Sequence, residues 1–151
     1  MERNDPAFAE YNYTSLISEI SAIMQQYLDE LYAPYNLKGL QHAFLTVICR
    51  NPGIPQKKLQ TWFTIDASNI TRNLMLLEKE QLITRKPSES DKRNLLLFPT
   101  EKAASIYDDI CKLYFSAETQ LTKGFSKEEC RQLTDFLKRM KDNLTGRHDV
   151  H

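Results

Sequence analysis

The sequence predicts a mainly α-helical fold carrying one small β-hairpin, and three observations lead there. Apolar residues recur at helical spacing through most of the 151 residues. Proline and glycine fall between those periodic stretches, at Pro34, at Asn51-Pro52-Gly53 and at Gly124. One turn-rich hexapeptide, Pro87-Ser-Glu-Ser-Asp-Lys92, separates two short runs that suit strands. The length fits a single domain with a real core and is short for two independent ones.

The first helix is expected over about residues 14–31, where Leu16, Ile20, Ile23, Met24, Tyr27 and Leu31 form one broad apolar stripe. Pro34 and the stretch 36–39 break it. Leu37, Leu40, Phe44, Val47 and Ile48 then mark a second helix that ends at Asn51-Pro52-Gly53. A short third helix begins at Pro55, a residue suited to a helix N-terminus, and runs through Lys57, Lys58, Leu59 and Trp62. Asp66 is a good N-cap for a fourth, whose Ile70, Leu74 and Leu77 repeat at helical spacing. Strands are expected at 82–86 and 93–98, because Pro99 disfavours a helical conformation at Phe98. A long helix follows from Thr100 to about Thr122, with Ile106, Ile110 and Leu113 on its apolar side. Gly124 ends it, and Ser126 with Glu129 makes a capping box for a last helix bearing Leu133, Phe136, Leu137, Met140 and Leu144. The tail 146–151 is expected to be disordered.

The fourth helix and the hairpin carry the functional signal. Ser68, Arg72, Met75 and Lys79 lie nearly opposite the apolar stripe, so the helix buries one side and turns Ser68, Asn69, Thr71 and Arg72 outward from its first turns. Such side chains can reach base edges in a major groove. In the hairpin Asp91 precedes Arg93 by two residues, a spacing at which a carboxylate can orient a guanidinium for a minor groove or a phosphate. Helix 66–79 resembles the recognition helix of MarR-type winged-helix regulators, and Asp91, Arg93 and Thr100 match that family's wing signature. Pro99 and Ala103 stand where the family usually has Leu and Gly. The resemblance spans about residues 10–145, with a winged helix-turn-helix unit at about 37–100 and dimerising helices at about 10–33 and 100–145.

The resemblance implies a regulator, in its commonest form a repressor, that binds double-stranded DNA as a homodimer on a pseudo-palindromic operator. Recognition helices in such a dimer stand about 34–36 Å apart, one turn of duplex. Lys57, Lys58, Arg85, Lys86 and Lys92 are candidate phosphate contacts beside Arg93. Leu16, Ile20, Leu133, Phe136, Leu137 and Met140 are candidate dimer residues, since they exceed what a small winged unit can cover. The family often binds small anionic or phenolic effectors between its dimerising helices and its winged unit. Tyr27, Tyr32 and His42 are the candidate pocket residues for such an effector. The plainer reading makes the tyrosines core or interface aromatics, and His42, beyond the main apolar stripe of the second helix, a satisfied or half-exposed histidine.

Charge bounds the alternatives. Lys plus Arg and Asp plus Glu number 20 each, so the whole chain has no attraction for phosphate. Residues 51–102 nevertheless hold nine basic and six acidic side chains, leaving 11 and 14 elsewhere, a mildly positive centre between acidic flanks. That modest balance keeps open a second class, a winged-helix interaction protein that has lost DNA binding. No apolar run approaches a membrane span, and no signal-peptide pattern appears, so a cytoplasmic protein is expected. Cys49, Cys111 and Cys130 are odd in number and lack metal-ligand spacing, and His148 and His151 with Asp149 make a poor metal site. No metal or cofactor is expected. All four glycines fall at breaks between elements or in the tail, no nucleophile with a base stands out, and catalysis is not expected.

Overall fold

The computed structural model describes residues 12–63 and 65–146. The expected disorder of the tail therefore lies outside the described residues beyond Gly146, as do His148, Asp149, His151 and the first two positions of the expected domain. Two compact units divide the chain, residues 1–113 and 114–151.

In the first unit α1 (Tyr13–Tyr32) leads through a 3-10 turn (Ala33–Tyr35) to α2 (Gln41–Arg50). Leu37 is buried but precedes α2, because Asn36 and Gly39 both adopt the left-handed conformation, at φ +54° and +55°, and interrupt the helical path. Next come β1 (Ile54–Pro55), α3 (Gln56–Trp62), α4 (Ala67–Lys79), β2 (Ile83–Pro87), β3 (Leu95–Pro99) and α5 (Glu101–Leu121), which crosses into the second unit. The sheet has three antiparallel strands in the order β1-β3-β2, one more than the hairpin read from sequence. Ile54 pairs with Leu97 and Pro55 with Leu96, so Pro55 closes a strand before it caps α3. A two-residue strand has no periodicity to reveal it. Gly53 adjoins this pairing at φ +85°, and a Cβ there would sit 3.4 Å from the Phe98 ring.

The core lies where α2, α4, the sheet and the start of α5 meet. Phe44, Leu45, Ile48, Leu59, Ile70, Leu74, Leu77, Leu97 and Ala103 are all at or below 1% exposure. The Phe63 ring meets Phe44 edge-on at 4.6 Å. Truncating any of the buried leucines to Ala would cost about 2–5 kcal/mol. Thr100 ties the base of the hairpin to α5: its hydroxyl donates to the Gln81 carbonyl at 2.7 Å and accepts the Ala103 N–H at 3.2 Å. Ala103 packs in the core, so the small residue suits the position even though it is not Gly.

The second unit holds the end of α5 and α6 (Lys127–Thr145). Gly124, at φ +88°, makes the break. The capping box forms as expected, with Ser126 Oγ accepting the Glu129 N–H at 3.2 Å and the Glu129 carboxylate accepting the Ser126 N–H at 2.7 Å. The Ser126 N–H, followed by the Ser126 side chain, holds the Glu129 carboxyl below its ordinary range.

Candidate nucleic-acid interface

α4 starts on the Asp66 cap. The carboxylate accepts the Ser68 hydroxyl and also the Asn69 N–H, the latter at 2.8 Å, and in that order these lower the Asp66 pKa. With Ile70, Leu74 and Leu77 buried, the opposite side of the helix is exposed at Ser68, Arg72, Met75 and Lys79. Asn69 and Thr71 are half-buried and already engaged: Asn73 donates to Asn69 Oδ1 at 2.7 Å, and the Thr71 hydroxyl donates to the Ala67 carbonyl at 2.9 Å. Arg72 is thus the most available of the four residues named from sequence, while Ser68 is exposed with its hydroxyl given to Asp66.

The hairpin tip is built around Asp91. Its carboxylate accepts the Arg93 N–H at 3.1 Å and the Asn94 side-chain N–H at 2.9 Å, while the Asn94 carbonyl accepts the Ser88 N–H at 2.8 Å. This local network holds Arg93 and Asn94 in the turn, which is why β3 starts at Leu95 and two residues later than expected. The Arg93 side chain is 97% exposed, with its Nε 3.7 Å from Asp91. Lys57 and Lys58 on α3, Lys86 on β2 and Lys92 in the turn are exposed. The Lys86 ammonium stands 5.3 Å from the centre of the Phe98 ring. A crevice of about 190 Å3 separates α3 from the hairpin, lined among others by Lys57, Gln60, Ile70, Arg93 and Asn94, which joins the α3 lysine to the wing arginine across one concave surface. Arg85 differs from the other cations, since Glu78 engages both its Nε, at 2.9 Å, and its Nη2.

Sequence reasoning did not single out Glu78, Asn94 or Gln60. Asn94, directly after the Asp-x-Arg triplet, was within reach of a turn argument. Glu78 was not, because its partner lies across a turn of unknown geometry.

Tyr32 and His42 are buried against each other, at 1% and 7% exposure, with ring centroids 4.5 Å apart and planes 13° from parallel. His42 thus packs inside the apolar face of α2 rather than beyond it. Its Nδ1–H donates to the Gly39 carbonyl at 2.9 Å, and burial lowers its pKa. Tyr27 is half-buried. Cys49, Cys111 and Cys130 are free and half-buried, and burial followed by the charge of Cys111 pushes the Cys49 thiol up to about 11. Among the described residues no cluster of His, Cys, Asp and Glu could hold a metal ion, and no helix is long and apolar enough to cross a membrane.

The geometry has close counterparts in known proteins. A profile of the MarR family matches residues 39–95. The uncharacterized HTH-type transcriptional regulator YybA of Bacillus subtilis (strain 168) is 31% identical over 104 residues, which are 69% of either chain. The chain belongs to the MarR family. Its fold is correspondingly that of a SlyA-like transcription regulator from Listeria monocytogenes, at 35% identity, 85% coverage of both chains and a TM-score of 0.78. A second Listeria monocytogenes structure, of a MarR family regulator complexed with 26mer DNA, matches at 34% identity, 87% coverage of both and a TM-score of 0.79. Membership makes this chain a DNA-binding transcriptional regulator with the MarR winged-helix fold, and its relatives are regulators rather than enzymes.

Proposed function

We propose that this MarR-family chain is a repressor that binds a pseudo-palindromic operator as a homodimer, through a single MarR-like unit at about residues 10–145. The observation that carries the reading is the pairing of two exposed arginines on separately anchored supports. Arg72 projects from a helix capped by Asp66 and seated on Ile70, Leu74 and Leu77. Arg93 projects from a turn organised by Asp91. In this reading Ser68 and Arg72 meet base edges, Arg93 enters the flanking minor groove, and Lys57, Lys58, Lys86 and Lys92 neutralise phosphates. The exposed apolar residues of the terminal helices support the dimer. Leu16 and Ile20 are 54% and 52% exposed, as are Phe136 and Leu137 at 54% and 50%, with Leu133 and Met140 half-buried.

A small anionic or phenolic effector completes the proposal, with Tyr27, Tyr32 and His42 as its contacts; reaching the last two requires parting their stack. Gel filtration combined with a salt titration of duplex binding tests the whole. A dimer that distinguishes DNA from upstream of its own gene from a scrambled duplex is the expected result. Equal affinity for every duplex would favour an interaction protein without operator recognition.

A further inference from the structure

Arg85 is a basic residue of the winged unit, and charge alone would count it among the phosphate contacts. Its position on β2 argues otherwise. Side chains alternate across a strand, so Arg85 shares a side with Ile83, which is buried, while Thr84 and Lys86 share the other and are exposed. Its cross-strand partner is Leu97, at 0% exposure. Arg85 therefore stands on the core side of the hairpin, and its side chain is 21% exposed against 97% for Arg93.

What it meets there is Glu78. Four residues beyond Leu74, Glu78 extends the buried stripe of α4 by one more turn, and its side chain is 34% exposed. Arg85 Nε donates to Glu78 Oε2 at 2.9 Å and Nη2 donates to the same oxygen. The turn spanned by this pair is short. Glu80 caps α4, Gln81 takes φ +57°, and the Leu82 N–H donates back to the Leu77 carbonyl at 2.9 Å. Lys102 adds a second tie from α5, donating to the Glu80 carbonyl at 2.7 Å.

We propose that Arg85 is a positioning residue which, held by Glu78, locks the wing to the recognition helix so that Arg72 and Arg93 reach DNA at a set separation. The proposal rests on the DNA-binding reading above. It also reassigns a charge: Glu78 neutralises Arg85 within the protein, and Arg85 does not count among the cations that displace counterions from the duplex.

Two roles for Arg85 give opposite signs. If Arg85 touched a phosphate, removing Glu78 would free a cation and tighten binding, and Arg85→Lys would keep most of the affinity. As a brace, Glu78→Ala and Arg85→Ala each weaken binding, and the double variant is no weaker than either single one. Arg85→Lys also weakens it, because an ammonium cannot reproduce the two-point contact. The measurement is binding to a duplex from upstream of the protein's own gene and to a scrambled duplex of equal length, across a salt series, for wild type, Glu78→Ala, Glu78→Gln, Arg85→Ala, Arg85→Lys and the double alanine variant. Thermal denaturation checks folding, and Glu78→Gln, which keeps an acceptor oxygen, serves if Glu78→Ala does not fold. The expected result is a roughly tenfold or larger loss for the upstream duplex, equal to about 1.4 kcal/mol. The slope of log affinity against log salt should stay as in wild type. Tighter binding by either Glu78 variant, wild-type affinity in Arg85→Lys, or a slope reduced by about 0.9 in Arg85→Ala would overturn the brace alone. A wild-type protein that ignores sequence would overturn the DNA-binding reading itself, and the proposal with it.

Discussion

Asp91 holds Arg93 from two sides, accepting its backbone N–H at 3.1 Å and standing 3.7 Å from its guanidinium Nε. An exposed ion pair of this kind adds little stability. Its value lies in direction, since the guanidinium leaves the turn along one favoured path. Arg93→Ala should therefore weaken operator binding by about 1.5–3 kcal/mol, as for loss of a charged hydrogen bond, and lower the salt slope by about 0.9. Asp91→Ala should cost less, because it frees the guanidinium without deleting it. Fluorescence anisotropy over a salt series measures both, and wild-type affinity with an unchanged slope in Arg93→Ala would mean the wing does not touch DNA.

Arg72 is expected to read a base edge, in contrast to Arg93. Arg72→Ala should cost about 1–3 kcal/mol on the operator and relax preference at one position in each half-site. Affinities for a set of single-base operator variants test this. A uniform loss across all variants would move Arg72 to the phosphate backbone.

Phe136 is 54% exposed on α6, where the proposal needs a partner subunit. Burying a charge there without a partner is strongly unfavourable. Phe136→Asp should thus yield monomer or aggregate by gel filtration with light scattering and abolish operator binding, although no DNA-facing residue has changed. Lys58→Asp is the matched control, expected to leave the dimer intact while weakening DNA binding. A dimeric Phe136→Asp protein with normal operator affinity would refute the assignment.

His42 links stability to acidity. Burial lowers its pKa in the folded protein, so the unfolded chain takes up a proton at higher pH than the folded one does. The stability contributed by keeping the imidazole neutral is present above the unfolded value of about 6.5 and is lost as pH falls through the lower folded value. Melting temperature should drop as pH falls below about 6.5, and His42→Phe, which keeps a ring against Tyr32, should flatten part of that drop. Identical pH profiles would show that His42 protonation does not contribute.

Helical spacing made most of the fold legible. The Asp66 cap, the buried Ile70, Leu74 and Leu77, and the Ser126–Glu129 box each follow from side-chain chemistry within one or two turns, and all three appear in the structure. The exposed Arg72 and Arg93 were legible for the same reason. What escaped depends on contacts between distant positions. The pairing of Ile54 with Leu97 and the grip of Glu78 on Arg85 are set by how elements meet, and a charge count cannot distinguish Arg85 from Lys86, its neighbour on the other side of the strand. The burial of His42 escaped for a related cause: it follows from the facing Tyr32 ring, which helical periodicity around residue 42 does not contain.

The short strand β1 has a consequence for how the chain acquires its structure. Ile54 and Leu97 are 43 positions apart, yet the Gly53 N–H finds its acceptor, the Leu97 carbonyl at 2.7 Å, only across that gap. Closing so long a loop is entropically unfavourable until the later segment arrives. A nascent chain that has emerged only through Asp91 contains every helix from α1 to α4 but lacks the strand against which the α2–α3 connection is aligned. The helices and the hairpin should consequently gain and lose order in one cooperative step, with amides of α3 and β3 exchanging at the same rate under mildly denaturing conditions. Protection of α3 that outlasts β3 would show instead that the helices form a foldon of their own.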